Sequence, residues 1–417
     1  MARRIVILAP GSRGDVQPYA ALAQGFARAG HRPLVVTTVD HEALVQGYGL
    51  EGRYMPFNVQ AALEGSVEAI EGTSHVTSFR ELAALARKGS RLLAEHALAA
   101  CEGADLIVAG FSGAVVGHAV GAKLGVPLAQ AYNVPLTPTG LYPGALVPRL
   151  GPAPFLHRLG HRLTRQGLWM TMRMGFEPET LALLGVRSLP LLPPSVPGLV
   201  PGPVLYGLSE HFLPRDPAWG DEVSLSGFWF AQEPDGWKPA PELEAFLAAG
   251  APPVCVGFGS MASRDPKALT ALVLEAAQRW GRTVLLSGWA GLASASLPKD
   301  VFVLRQAPHS WLYPRCRVVV HHGGAGTTAA ALRAGVPAVV VPFHGDQFFW
   351  GERVFAAGTG ARPVARSKLT AARLVEAVET AGEPARCARA AELGQLISKE
   401  DGVSRAVEQI LAPLPLG

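Results

Sequence analysis

Short apolar runs alternate with amphipathic stretches along this chain, and the alternation is the feature that most limits its fold. Ile5 to Ala9 is a continuous apolar run of strand length, and a glycine-containing turn, one apolar helical face and a second run from Leu34 to Thr38 follow it. The runs Asp105 to Ala109 and Pro127 to Ala131 enclose a helical stretch from Ser112 to Leu124 and repeat the unit. Because strand, helix and strand in this order form right-handed parallel crossovers, the first part of the chain is predicted to be a doubly wound α/β domain.

A second alternating series follows a change of composition near residue 230. Residues 231–242 read AQEPDGWKPAPE, a polar, proline-containing stretch that is typical of a linker. The strand-like runs beyond it are Val254 to Phe258, Thr283 to Ser287, Val301 to Leu304, Arg317 to Val320 and Ala338 to Val341. We therefore predict an N-terminal domain over 1–230, a linker over 231–242 and a C-terminal domain over 243–417, whose last helix packs back on the N-terminal domain. The predicted fold class is α/β, with two Rossmann-like doubly wound parallel-sheet domains that face each other across a cleft.

Composition and charge argue against several classes of function. The 37 Lys and Arg residues against 33 Asp and Glu give a net charge of +4 without clustered basic runs, so nucleic acid is not an expected partner. The four cysteines are far apart and form no CxxC pair, so no metal site is predicted. The apolar N-terminal run is too short for a signal peptide, and no stretch approaches the roughly 20 apolar residues of a spanning helix. We expect a cytoplasmic protein, or one that touches a membrane only from its surface.

Residues 140–203 break the alternating pattern and are rich in Pro, Leu and Arg. A helix is predicted from Pro154 to Met174, and no Asp or Glu occurs between Leu106 and Phe176. The arginines that accumulate there are Arg149, Arg158, Arg162, Arg165 and Arg173. Two interpretations stay open: a helix that packs its leucines on the N-terminal domain with solvated arginines opposite, or an apolar acceptor pocket whose rim contacts an anionic membrane.

The strongest local motif is HHGGAGTT, residues 321–328, which follows a predicted strand and opens a predicted helix. Glycines allow a ligand to approach the backbone closely, and the N–H groups of a helix N-terminus favour an anion. A diphosphate fits such a turn without a metal, and His322 adds a polar side chain at its mouth. The alternative is a glycine-rich turn that binds nothing. The turn lacks the lysine of a Walker A loop, and the dinucleotide fingerprint GxGxxG is incomplete.

Asp346 and Gln347 follow the last predicted strand, in the sequence PFHGDQ. An adjacent carboxylate and amide can accept from and donate to vicinal hydroxyls, as binding of a sugar ring requires. The alternative is that Asp346 caps the helix that follows. The residues alone leave both interpretations open.

Taken together, these motifs give the chain a family resemblance. It resembles the nucleoside-diphosphate-sugar-dependent glycosyltransferases of the GT-B fold, and most closely their bacterial and fungal sterol glucosyltransferase and glycopeptide glycosyltransferase branches. The resemblance runs nearly end to end. It rests on GSRGDVQP at 11–18, Gly30-His31, Phe258-Gly259-Ser260, PHSWL at 308–312, HHGGAGTT at 321–328 and Gly345-Asp346-Gln347.

The resemblance implies that Asp15, in GDVQP, is the general base that takes the proton from the acceptor hydroxyl. Many plant relatives carry a histidine at this position. A free Asp has a pKa near 3.9 and is a weak base unless burial raises that value. His31 and His309 are the alternative bases, and the placement of His31 between a helix and a strand favours a structural role for it.

The resemblance also implies a set of donor-binding residues. Gln306 and Ala307 would contact the nucleobase, and Asp346 and Gln347 the sugar hydroxyls. The residues that would contact the diphosphate are Ser12, Arg13, Gly14, Ser260, His322, Gly324, Ala325, Gly326 and Thr327. Val303 and Ala330 replace the plant-type Trp that stacks on uracil and the Glu that grips the ribose, so UDP and dTDP both stay open. No cofactor is expected beyond the nucleotide sugar, with UDP-glucose favoured.

The expected reaction is the inverting, metal-independent transfer of a hexose to a hydroxyl of an apolar acceptor such as a sterol, terpenoid or polyketide. Negative charge grows on the departing diphosphate, and fixed donors at a helix N-terminus stabilise it where it develops. The alternatives on the same fold are a sugar epimerase, a glycosyltransferase that acts on a lipid-linked precursor, and a non-catalytic nucleotide-sugar-binding protein. The expected partners are the nucleotide sugar, the apolar acceptor and, at the periphery, an anionic membrane.

Overall fold

The computed structural model describes residues 1–59, 61, 75–233, 237–259, 265–286 and 297–413, and it describes only the backbone of residues 75–86. The chain divides into two compact units. Unit 1 comprises Met1–Pro234 and Glu400–Gly417, and unit 2 comprises Asp235–Lys399. The division falls within the stretch 231–242, and the end of the chain belongs to unit 1.

Within the described residues, unit 1 has a parallel sheet of seven strands in the order β3-β2-β1-β4-β5-β6-β7. Its strands are β1 (Arg4–Leu8), β2 (Arg32–Thr38), β3 (Glu51–Met55), β4 (Leu106–Ala109), β5 (Leu128–Tyr132), β6 (Val204–Tyr206) and β7 (Val223–Leu225). Its helices are α1 (Arg13–Arg28), α2 (Glu42–Gly47), α3 (His75–Cys101), α4 (Ala114–Leu124), α5 (Pro154–Gly175), α6 (Pro178–Leu183) and, from the end of the chain, α14 (Gly402–Leu411). A 3-10 turn, Val39–His41, precedes α2.

The central strand β1 of this sheet is buried on both faces. Along β1, Ile5 and Ile7 belong to the core that α1 and α14 cover, while Val6 and Leu8 belong to the core that α3 and α4 cover. A strand that is buried on both faces has no polar alternation, and this is why its sequence is one apolar run. Gly25 of α1 lets α14 pack closely, because a Cβ there would overlap the Val403 side chain.

The described part of unit 2 has a parallel sheet of five strands in the order β10-β9-β8-β11-β12. Its strands are β8 (Val254–Gly257), β9 (Thr283–Leu286), β10 (Val301–Leu304), β11 (Val318–His321) and β12 (Ala338–Val340). Its helices are α7 (Pro241–Ala248), α8 (Pro266–Trp280), α9 (His309–Leu312), α10 (Ala325–Arg333), α11 (Gln347–Ala356), α12 (Ala371–Ala381) and α13 (Pro384–Ile397). The 3-10 turns are Tyr313–Arg315 and Arg366–Lys368.

The structure confirms the predicted α/β class with two parallel sheets, and each predicted strand is present. The observed strand bounds differ from the predicted ones by at most two residues, and Ser287, the predicted end of one strand, lies outside the described residues. Helix α3 and the strands β3, β6 and β7 were not predicted from the sequence.

Helix α5 corrects the view of residues 140–203 as leucines packed inward and arginines solvated. Leu159 and Leu163 are 41% and 46% exposed, whereas Arg165 is only 8% exposed. The Arg165 guanidinium points inward, where Nη2 donates a hydrogen bond of 2.7 Å to the Pro194 carbonyl. Arg158, Arg162 and Arg173 are exposed as that interpretation expects, so it is wrong only for the two exposed leucines and for the buried Arg165.

Candidate functional site

Asp15 lies in the first turn of α1, just beyond the carboxyl end of β1. The strand order of unit 1 reverses between β1 and β4, so this turn lies at the point where open parallel sheets bind their ligands. Gly11 has a φ of 140°, and a Cβ there would lie 2.5 Å from Asp15 Oδ2. Only glycine lets the turn close on the carboxylate.

Ser12 donates to the carboxylate twice. Its N and its Oγ each lie 2.9 Å from Asp15 Oδ2. Burial raises the pKa of the Asp15 carboxyl above its ordinary value, against the hydrogen bonds from Ser12 and the nearby His41 ring, which lower it. A carboxyl with a raised pKa is a stronger base than a solvated one. Because the same oxygen caps the start of α1, Asp15 also has a structural role.

Three side chains from neighbouring segments hold this turn, and the sequence analysis missed all of them. His41 Nε2 lies 3.0 Å from the Gly11 carbonyl oxygen, Ser112 Oγ donates to the Pro10 carbonyl at 2.8 Å, and Asn133 Nδ2 donates to the Gly14 carbonyl at 3.3 Å. A signal was present for the last two, since both are polar residues that follow a strand of the same sheet. Nothing in the sequence near His41 marks it.

The other predicted residues of this turn are more open. Ser12 is half-buried, while Arg13 and Gly14 are exposed. Arg13 Nε donates to Gln17 Oε1 at 3.2 Å, one turn along α1. Their approach to a diphosphate stays a prediction.

His31 lies at the amino end of β2, whereas Asp15 lies beyond the carboxyl end of β1. His31 connects the end of α1 to the start of β2, and its Nδ1 accepts a hydrogen bond from the Arg3 N–H at 3.2 Å. Since the amino ends of parallel strands lie at the edge away from Asp15, His31 is not placed to act on an acceptor that Asp15 contacts.

His322 directly follows β11, and Gly259 lies just beyond β8. These strands are neighbours, and the strand order of unit 2 reverses between them. A Cβ on Gly259 would lie 2.9 Å from His322 Cε1, and a Cβ on Gly324 would lie 2.5 Å from His322 Nε2. The imidazole is therefore held between two backbone segments that must both be glycine, at the switch point of the sheet.

Burial, together with the nearby His344 and His309, lowers the pKa of His322 to about 3. The ring is therefore neutral at neutral pH, with one nitrogen that donates and one that accepts. Nδ1 is buried and has no hydrogen-bond partner in the described part of the chain. A buried polar nitrogen without a partner is costly, and a ligand oxygen would satisfy it.

His321 has a different role from its neighbour. It is fully buried at the end of β11, its Nδ1 accepts a hydrogen bond from the Gly323 N–H at 3.0 Å, and burial lowers its pKa to about 3. The hydrogen bond to Gly323 shapes the turn, while the other ring nitrogen, Nε2, is also buried without a partner among the described residues.

Helix α10 begins directly after this turn, with Gly324 at its N-cap position. The N and the Oγ1 of Thr328 both donate to the Gly324 carbonyl at 2.9 Å and close the first turn. The N–H groups of Ala325, Gly326 and Thr327 precede the first intrahelical donor, so helix geometry leaves them available to an anion.

Gln347 and Asp346 begin α11, after β12. Gln347 is 4% exposed, and its Oε1 accepts from the N–H groups of Phe343 at 2.8 Å and His344 at 3.3 Å. Asp346 is half-buried, and its Oδ2 accepts from Trp350 Nε1 at 2.8 Å, while its side chain makes no capping hydrogen bond in this loop. Gln347 therefore fastens the loop that presents Asp346, and the binding of sugar hydroxyls by this pair stays a prediction.

The remaining donor residues lie beyond β10 and β8. Gln306 is exposed and Ala307 is half-buried, directly after β10, while Ser260 lies outside the described residues. Because β8, β10, β11 and β12 are parallel strands of one sheet, the loops after them share one edge. The described donor candidates of unit 2 therefore lie along that edge.

The described ranges hold neither a cluster of metal-ligating side chains nor a membrane-spanning helix. No group of three or more His, Cys, Asp or Glu side chains there is placed to hold a metal ion. In the same ranges, no helix has both the length and the apolar character needed to span a bilayer.

Comparison with known proteins decides the family. The sterol 3-beta-glucosyltransferase UGT80B1 of Arabidopsis thaliana is 32% identical over 431 residues, which cover 99% of this chain and 68% of that relative. The chain belongs to the family of glycosyltransferases that includes this sterol 3-beta-glucosyltransferase. A family model described as the C-terminal domain of erythromycin biosynthesis protein CIII-like proteins matches residues 281–404 of the glycosyltransferase.

Solved structures match the fold of the glycosyltransferase. CalG4, the calicheamicin glycosyltransferase, matches with a TM-score of 0.70 at 21% identity, over 99% of each chain. The Streptomyces sp. SF2575 glycosyltransferase SsfS6, complexed with thymidine diphosphate, matches with a TM-score of 0.62 at 21% identity, over 98% of this chain and 99% of the other. The two parallel-sheet units of this glycosyltransferase are those of the GT-B fold.

Proposed function

We propose that this glycosyltransferase moves glucose from UDP-glucose to a hydroxyl of an apolar acceptor, a sterol, terpenoid or polyketide, with inversion and without a metal ion. One observation carries the proposal: each sheet presents the required chemistry at its switch point, a carboxylate of raised pKa in unit 1 and an anion-binding turn in unit 2. The name of the Arabidopsis relative supports glucose as the sugar and a sterol as the acceptor.

The turn of unit 2 accounts for departure of the diphosphate. When the bond between the anomeric carbon and the phosphate oxygen breaks, both electrons stay on the oxygen. Three backbone N–H groups and the helix dipole of α10 stabilise the growing charge, and a neutral His322 can donate one further hydrogen bond. These donors do the work that Mg²⁺ does in other transferases.

Asp15 accounts for activation of the acceptor. As the acceptor oxygen attacks the anomeric carbon, its proton passes to the carboxylate that Ser12 orients. The attack comes from the side opposite the departing diphosphate, so a single displacement converts an α-linked donor into a β-glycoside. An apolar acceptor dissolves in membranes, and for this reason we include peripheral contact with an anionic membrane in the proposed function.

Nucleotide binding tests the donor site. We expect UDP or dTDP to bind the wild-type protein in the presence of EDTA, and calorimetry measures both. His322→Ala should weaken binding at least about tenfold, because it removes a hydrogen bond to a charged oxygen.

His31→Ala is the matched control, since that histidine lies in the other unit at the opposite sheet edge from Asp15. Its nucleotide affinity should equal that of the wild type. Equal affinity in His322→Ala and the wild type would place the diphosphate elsewhere. The ratio of the UDP and dTDP affinities shows which nucleobase, uracil or thymine, the donor site prefers.

A further inference from the structure

The outward face of α5 carries apolar side chains in water. Phe155, Leu159 and Leu163 are 67%, 41% and 46% exposed. They recur at every fourth position, so they form one stripe along the helix. His161 and Thr164, which are buried residues of the same helix, lie on its other side.

A neighbouring loop extends the stripe. Leu191 and Leu192 are 62% and 66% exposed. Gln166 of α5 donates to the Leu191 carbonyl at 3.3 Å, and Gln166 lies about three turns beyond Phe155 on the same side of the helix. We call the five apolar side chains Phe155, Leu159, Leu163, Leu191 and Leu192 the α5 face.

The charge around the α5 face is basic. Arg158 and Arg162 are exposed within the same turns of the helix as the stripe, and Arg158 lies near the Asp216 carboxylate. The sequence holds no Asp or Glu from Leu106 to Phe176. Long arginine side chains can keep their guanidinium groups among lipid phosphates while Leu and Phe enter the acyl boundary. Charge and apolarity are thus both complementary to an anionic bilayer.

A mainly apolar cavity is lined in part by α5 and by the residues that precede Leu191. Its volume is about 550 Å³, and it is lined by Trp169 of α5, by Val115 and Ala119 of α4, and by Leu184, Leu189 and Pro190. Trp169 Nε1 donates to the Pro190 carbonyl at 2.9 Å, so the cavity wall and the loop of Leu191 are joined. An apolar space next to exposed apolar side chains suits a surface that meets lipid chains better than one that meets a polar protein.

We propose that the α5 face docks on an anionic lipid bilayer, with Arg158 and Arg162 at the phosphates and the apolar stripe in the acyl boundary. The proposal rests on the proposed function, because docking gives the enzyme access to a membrane-dissolved acceptor. It names the residues of the contact and excludes Arg165, which faces inward.

Co-sedimentation of the full chain with vesicles tests the surface. The wild-type protein should bind vesicles of phosphatidylcholine with phosphatidylglycerol at low salt, bind phosphatidylcholine alone much more weakly, and lose affinity as salt rises. Arg162→Gln should weaken partitioning about fivefold. The double variant Phe155→Ser, Leu159→Ser should weaken it at least about tenfold, since two apolar side chains no longer leave water.

Two controls match these changes. Arg53→Gln removes an exposed arginine on the edge strand β3 of the same unit, and Leu396→Ser removes an exposed leucine on α13. Both should bind vesicles as the wild type does. Because every changed residue is exposed, thermal melts should show all four variants folded.

Several results would overturn the docking. The first is that wild-type protein does not bind anionic vesicles at low salt. The second is that it binds both kinds of vesicle equally. The third is that the α5-face variants bind vesicles as strongly as the control variants do. A protein that binds UDP but no vesicle refutes the docking and leaves the proposed function standing. Vesicle binding without any nucleotide affinity does the reverse.

Discussion

The chemistry of Asp15 depends on where its carboxylate lies. Because the pKa is raised, the ionised fraction grows as pH rises through that value, and the transfer rate should rise with it. Stability should change in the opposite direction: a carboxyl whose folded pKa lies above the unfolded value of about 3.9 favours folding at low pH, and this contribution is lost as pH rises through the folded pKa.

Asp15→Asn keeps the size of the side chain and removes the base. We expect turnover to fall by about 10²–10⁴-fold while UDP affinity stays near that of the wild type. The acid limb of the pH–rate profile should disappear with it. His31→Ala serves as the control and should keep normal turnover. Near-normal turnover in Asp15→Asn, measured on protein whose melt shows it folded, would rule out the base.

The sequence alone left the role of Asp15 ambiguous for a physical reason. A carboxylate three residues after a serine is both the pattern of a capping box and the position of a base, and only coordinates show that Ser12 donates twice to one oxygen. The burial of Arg165, by contrast, left no signal in the local sequence. Its carbonyl partner, Pro194, is distant in sequence, so helical periodicity had no means of predicting that this arginine is buried.

At the scale of elements, two glycines at the start of α10 differ in the space that a side chain would find. A Cβ on Gly324 would press on the His322 ring, whereas a Cβ on Gly326 would meet nothing within 4 Å. Alanine is also a poor N-cap residue, and inside a helix it is better than glycine by about 1 kcal/mol.

Gly324→Ala should therefore lower both the melting temperature and the UDP affinity. Gly326→Ala should melt at or above the wild-type temperature. Differential scanning calorimetry with and without UDP separates the two effects. Identical melts for the two variants would show that the ring is not held between the glycines.

Element by element, the sequence predicted what local chemistry determines. Strands such as β1 and β11 were found because burial on both faces leaves continuous apolar runs. The strands β6 and β7 have three residues each, too few for any periodicity, and they form by pairing at the sheet edge. The long helix α3 is rich in Ala, Leu and Arg, so its high helix propensity is a signal in the sequence from which it could have been predicted.

At the scale of the whole molecule, the family and the two parallel sheets both identify a glycosyltransferase of the GT-B fold. The motifs from Gly11 to Gln347 span the chain and indicated its family before any coordinates were considered. The acceptor did not emerge in the same way. An acceptor pocket was predicted in residues 140–203, but which side chains are exposed there depends on long-range pairs such as Arg165 with Pro194, and no local sequence pattern reports such pairs.

The configuration of the product tests the central claim most directly. UDP-glucose, or dTDP-glucose if that nucleotide binds better, is supplied with a sterol in buffer with EDTA, and proton NMR reads the coupling of the anomeric hydrogen. We expect a β-glucoside, with the large coupling of two axial hydrogens, at a rate that EDTA does not change. An α-glucoside, or transfer that stops with EDTA and returns with Mg²⁺, would contradict this expectation.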